Sequence, residues 1–314
     1  MRKPRLKIDG EGFYHVTSRC VDRTFRFADT DKTRIVEQMK RMGKFCGVEI
    51  GTYAVMSNHF HILLHVLQPK VLTDDELVER IAALYGTAKA EDLRCTWSVW
   101  RRMGDETSLE QLETSRQSYI RRMGDLSTYM KELKQWISRV YNKEHNRKGT
   151  LWEERFWSCL LEDSSKTLTS VAAYIDRNAV RAGIVERPEN YRWCGYAEAH
   201  AGHVTAQRAL FSLFRQSEEI AWAETKKRYG WLLRPVTDTN GAVTDTACGR
   251  REKRNPAFTR ALAMGSRGFI LQTYAQFPKI FTARKRPARP YVTDGSGAED
   301  ALCASHRPRE AVIC

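Results

Sequence analysis

The sequence predicts an α+β fold: a ferredoxin-like (RRM-like) antiparallel sheet with helices, a helical insertion and a helical C-terminal region. Three observations support it. Residues 12–20 alternate with the two-residue period of a half-buried strand, residues 31–46 repeat at helical spacing, and residues 48–56 and 59–67 read as two strands joined tightly. Strand, helix, strand, strand and a later helix is the order that arrangement requires.

Residues 1–9 are basic and are expected to form a flexible arm that touches phosphates. The first strand sets Phe13, His15 and Thr17 against Tyr14, Val16 and Ser18. His15 can act as a metal ligand or simply meet a backbone partner. The helix over 31–46 places Ile35, Val36, Met39, Met42 and Phe45 on one face, and Gly47 stops it. Ser57-Asn58 is the tight connection between the next two strands. Residues 73–145 read mainly as helix, over 74–85, 109–124 and 127–142, with a polar stretch reaching Gly104 between the first two. The face Tyr129, Leu133, Trp136, Ile137 and Val140 reads as core.

A basic turn over 142–149 includes Arg147, and residues 152–161 read as another strand. There Trp152, Arg155, Phe156 and Trp157 mix aromatics with cations, which suits unstacked bases and phosphates, although Trp157 can equally be buried. A helix over 164–183 is capped by Ser164 or Ser165 and ended by Gly183. Residues 207–233 and 255–277 are helix-like around a polar connection at 236–250, either a packing cap or an accessory DNA-binding element. From 283 the Arg/Pro and Gly-Ser-Gly composition cannot bury apolar surface, so a disordered tail is expected. The resulting organisation is a domain over 1–200 with its insertion at about 73–145, a helical region over 201–282 and a tail over 283–314.

A formal net charge of +14 and a pI near 9.5 point to a polyanionic partner. No apolar run approaches the roughly 20 residues that cross a bilayer, and the N-terminus has no apolar leader segment. The eight cysteines include no Cys-x-x-Cys pair, which argues against a zinc finger, and they read as reduced thiols filling space. Nucleotide-binding signatures are absent.

Two clusters carry chemistry. In a strand, His59 and His61 point the same way and can clamp a divalent cation; the plain alternative is two polar residues lining a half-buried strand. In the later helix, Tyr174 and Asn178 lie one turn apart, about 6 Å along the axis. A phenol ionises near pH 10, so it needs a neighbouring cation to attack phosphorus at neutral pH. Tyr141 and Tyr129 are the other candidate nucleophiles. Arg177 and Arg181 follow on the same helix, placed to meet a phosphate backbone or to form ordinary ion pairs.

The set Gly12-Phe-Tyr-His-Val-Thr-Ser-Arg19, Met56-Ser-Asn-His-Phe-His-Ile-Leu-Leu64, Gly149-Thr-Leu-Trp-Glu-Glu-Arg-Phe156 and Tyr174-Ile-Asp-Arg-Asn-Ala-Val-Arg-Ala-Gly183 resembles the single-tyrosine transposases of the His-hydrophobic-His class. Within that class it is most similar to the REP-associated tyrosine transposases. The resemblance covers roughly residues 1–200 and fades after Trp193. It implies a ferredoxin-like domain that cleaves and rejoins single-stranded DNA at REP-like hairpins through a 5′-phosphotyrosine, with Tyr174 as nucleophile. His59, His61 and Asn178 would hold Mg²⁺ or Mn²⁺, and Arg19 and Arg23 would sit where the family meets its DNA. Together with Arg147, Trp152, Arg155, Arg177 and Arg181 they form the expected DNA-binding set. The chain would act as a monomer or homodimer in the cytoplasm, associated with the nucleoid. A non-catalytic binder of the same fold, and a replication initiator or relaxase, are the alternative readings. A histidine-triad hydrolase needs a third histidine where this chain has Leu63.

Overall fold

The computed structural model describes residues 5–24, 26–215, 221–234, 258, 261–278, 280–281, 289–291 and 302–306. Four strands form the centre: β1 (Gly12–Arg19), β2 (Val48–Val55), β3 (His59–Val66) and β4 (Trp157–Leu161). They lie in the order β2-β3-β1-β4, each antiparallel to its neighbour. Helix α1 (Asp29–Cys46) crosses from β1 to β2 and ends at Gly47, whose φ of 67° is the left-handed turn that a glycine adopts without strain. The ferredoxin-like α+β reading therefore holds.

The strand period splits the sheet into two chemically different faces. Tyr14, Val16, Phe60, Ile62 and Leu64 point to one side, where they form a continuous core with α1 and α5 (Leu126–Glu144). Phe13, His15, Thr17, Arg19, His59, His61 and Leu63 point to the other, because the β1–β3 register pairs Thr17 with His61 and Arg19 with His59. Helix α6 (Ser165–Asp176) covers that second face, packing on β2 and β3.

The insertion contains α2 (Asp74–Tyr85), α3 (Thr87–Met103), α4 (Glu106–Ile120) and α5. The stretch read as polar connection is α3: Ala90, Leu93 and Trp97 recur on its buried side, and arginines on its other faces had hidden that period. The expected face of α5 packs as core, with Tyr129, Leu133 and Ile137 at 2% exposure or less.

Past β4, the chain departs from expectation in several places. The strand over 152–161 starts at Trp157, while Trp152 makes only an isolated bridge to Cys20. Helix α6 ends at Asp176, and after a break at Arg177 (φ −80°, ψ 1°) the short α7 (Asn178–Arg181) begins. The small helices α8 (Gly195–His200), α9 (Val204–Ser212) and α10 (Trp222–Leu232) follow. Residues 261–265 were expected to be helical; they form β5 (Ala261–Gly265), parallel to β4, and α11 (Arg267–Gln276) comes after it. In the tail expected to be disordered, β6 (Arg289–Tyr291) and β7 (Leu302–His306) continue the sheet in the order β5-β7-β6. Apolar residues, Ala261, Leu262, Ala263, Met264, Leu302 and Ala304, support this pairing, each at most 3% exposed. The remainder of that tail and the connection at 236–250 lie outside the described residues.

The described part of the N-terminal arm is also docked rather than loose. Leu6 is 1% exposed, the Arg5 guanidinium stands 4.1 Å over the Phe156 ring and Lys7 pairs with Asp125. Among the described residues no helix is long and apolar enough to cross a membrane. Cys20, Cys46, Cys159 and Cys194 are buried as space-filling thiols, and burial raises the first two to about 12.

Candidate active site

His59 and His61 leave β3 on the α6 side with ring centroids 5.2 Å apart and nearly perpendicular. In each ring Nδ1 meets a side chain of the protein. Nδ1 of His59 lies 2.6 Å from the Asn58 side-chain oxygen, which can only accept, so Nδ1 is the donor of that pair. Nδ1 of His61 meets Nε2 of His15 at 2.9 Å. Burial, reinforced by His15, His59, Arg181 and Arg19, pushes His61 well below the usual histidine range. His15 falls to about 3, again through burial first and Arg181 second. His15 and His61 are thus held as neutral imidazoles, the form that binds metal.

Tyr174 arrives from α6 at the same place. Its ring centroid is 5.9 Å from that of His61 and 6.0 Å from that of His15, edge to face in both cases. Only 7% of the residue is exposed. Phe258 stacks on the ring at 4.3 Å, and the Arg181 guanidinium lies 3.6 Å over it. Two groups at those distances can only occupy opposite faces, so the phenol is sandwiched. Tyr141 and Tyr129, by contrast, belong to the core on the other face of the sheet.

Asn178 opens α7, one turn beyond Tyr174. Its side-chain nitrogen donates to the carbonyls of Tyr174 at 3.2 Å and Ile175 at 3.1 Å. Those two bonds orient the amide and leave its oxygen as the acceptor end. Two imidazoles and an amide oxygen suit a divalent cation that keeps positions open to other oxygen ligands. Elsewhere, Asp31, Glu144 and His145 bring ligand atoms within 4.8 Å of one another. These groups already have structural work: Asp31 accepts from the Ala28 backbone at the start of α1, and Glu144 pairs with Arg34.

The arginines expected around DNA divide. Arg19, half-buried, projects from β1 beside His59, and Arg177 and Arg181 lie at and after the break that follows Tyr174. Arg23 and Arg155 are exposed, Arg23 with Glu153 at 3.5 Å. Arg147 closes its own turn instead, donating to Asn142 at 3.2 Å and to the Thr150 carbonyl at 2.8 Å. Trp152 is not brought to the histidine face. It packs on Phe27 and Phe60, its indole donates to the Lys134 carbonyl at 3.1 Å, and it belongs to the opposite side of the sheet. Trp157, half-buried, is the tryptophan that reaches the site, 5.3 Å from His15.

Sequence reasoning missed two contacts here. His15 was expected to meet either a metal or the backbone and meets His61. Phe258 lies in a stretch with no recognisable motif, and nothing in its local sequence marks it as a neighbour of Tyr174.

No protein-family model matches the chain, and no curated protein matches it. Among solved structures it is similar to a REP-associated tyrosine transposase bound to a REP hairpin, with 14% identity and a TM-score of 0.41. The alignment covers 64% of this chain and 86% of that one. So loose a superposition fixes no residue correspondence between the two.

Proposed function

We propose that this protein is a metal-dependent single-stranded DNA endonuclease and strand transferase of the single-tyrosine transposase type, acting at hairpin-bearing strands. The observation that carries the reading is the meeting of Tyr174 with His61 at 5.9 Å between ring centroids, on a face shared with His59. Residues distant in sequence converge there on one small volume, and they are the residue types that phosphodiester transesterification needs.

In this reading the Tyr174 oxygen attacks the scissile phosphorus, losing its proton to water. A bond forms between that oxygen and phosphorus, the bond to the 3′-oxygen breaks, and the departing strand leaves with a 3′-hydroxyl. Rejoining is the reverse attack by a 3′-hydroxyl, so no external energy source enters. His59, His61 and the Asn178 oxygen would hold Mg²⁺ or Mn²⁺, which supplies charge stabilisation at the phosphate oxygens. Arg19 and Arg181 stand beside the site with charge suited to the backbone of a bound strand.

The test incubates the protein with labelled single strands containing hairpins, with and without Mn²⁺. A metal-dependent covalent adduct that disappears in Tyr174→Phe supports the reading. Tight binding with no adduct under any metal would instead favour a non-catalytic binder, a reading consistent with the sandwiched phenol.

A further inference from the structure

Asp176, the last residue of α6, is 0% exposed inside an otherwise apolar cluster. Such a carboxylate is tolerated only when its oxygens are paired, and here three other elements supply the donors. The Thr52 hydroxyl on β2 donates to Oδ1 at 2.7 Å, and the Tyr196 backbone N–H donates to the same oxygen at 3.2 Å. The Tyr229 hydroxyl on α10 donates to Oδ2 at 2.6 Å. The approach of α8 is itself specified: a Cβ on Gly195 would lie 2.2 Å from the Thr52 hydroxyl oxygen.

Apolar contacts hold a helix against a sheet while leaving its roll and slide loosely defined. Directional bonds from three sides remove that freedom. Residues two apart on a helix point about 200° from each other, so Tyr174 faces β3 and β1 while Asp176 faces β2 and α10. A roll of about 10° would carry the phenol tip sideways by about 1 Å, and a misplacement of that size costs about 10²-fold in rate. Asp176 also sits immediately before the break at Arg177, at the joint between the helix of Tyr174 and that of Asn178.

The geometry points to Asp176 as a positioning residue which, held by Thr52 and Tyr229, sets where Tyr174 and Asn178 stand against the histidines. This rests on the tyrosine-nucleophile reading, and it gives α10, a helix outside the motif-bearing region, a part in the reaction. The side-chain hydroxyls of Thr52 and Tyr229 both donate to the carboxylate, so their effect on the phenol passes through it.

The experiment uses the full chain with Tyr229→Phe, Thr52→Val and Thr52→Ser, at a temperature where circular dichroism shows each one folded. At saturating hairpin strand and Mn²⁺, Tyr229→Phe and Thr52→Val should form the adduct about tenfold or more slowly, with hairpin affinity held within about twofold. Thr52→Ser, which keeps the hydroxyl, should restore the parental rate. Parental rates in both folded variants would overturn the proposal. A second readout is the ¹⁹F resonance of 3-fluorotyrosine placed at position 174. It should shift or split in Tyr229→Phe and Thr52→Val, and stay in place in Thr52→Ser. If the unsubstituted chain forms no adduct, the nucleophile reading fails, and the resonance still decides the positioning: an unmoved line in all three variants overturns it.

Discussion

The two faces of the central sheet are built from alternate residues of the same strands, yet they do opposite work. On the α1–α5 side, Val16, Phe60, Ile62 and Leu64 are at most 1% exposed and join a dry apolar core. On the α6 side, His15, His59 and His61 are nearly as buried, at 1%, 8% and 4%, but each is a polar group that needs a partner. The first face stabilises by removing area from water. The second gives up some of that gain, keeping imidazoles, a phenol and an amide close together. Moving one residue along β3 changes the expected consequence of a mutation from loss of stability to loss of chemistry.

The largest expected effect belongs to the second face. Tyr174→Phe should lower adduct formation by at least about 10⁴-fold with hairpin binding retained, read on a denaturing gel beside a binding assay. On the first face, Phe60→Ala should cost about 3–5 kcal/mol in urea unfolding while the folded fraction still cuts at nearly the parental rate. A rate that collapses without loss of stability would break the comparison. His61→Ala, the neighbour of Phe60, should show the reverse: about 10²–10³-fold slower adduct formation, similar to the loss expected when a chelator is added to the assay.

A pH series sharpens the account of α6. Burial lifts Asp176 from the ordinary carboxylate range to about 7, against the hydrogen bonds from Tyr229, Thr52 and Tyr196. Between its unfolded and folded pKa values the native chain binds the extra proton, so this group's contribution to stability falls as pH rises. Relative to Asp176→Asn, the parent should lose about 2 kcal/mol between pH 4.5 and 6.5, measured by urea unfolding at both pH values. An equal or opposite trend would remove the buried-carboxylate account. The smallest effect concerns Trp152. Trp152→Phe should change hairpin affinity less than about twofold, whereas Arg19→Ala on the histidine face should weaken it and reduce the salt slope by about one.

Much of the central domain was legible because its signals are local. A two-residue period places His59 and His61 on one face wherever the strand lies, and a helical period places Asn178 one turn from Tyr174 even though the helix breaks between them. The same local logic failed where long-range pairing decides. Ala261–Gly265 looks as helical as it does extended until β4 and β7 offer partners on both sides. Trp152 looks like a base-stacking residue until Phe27 and Phe60 occupy its surface.

The sequence by itself thus determined the order of the central elements, the alternation that separates an apolar face from a histidine face, and the polar residue types that lie on that second face. The tertiary structure decided which of those residues meet. It brought Tyr174 to His61, His15 to the back of His61, Phe258 over the phenol and Tyr229 to Asp176. The physical reason is that strand and helix periods are written within a few residues, while these contacts join segments whose closeness depends on how the whole sheet is paired and covered.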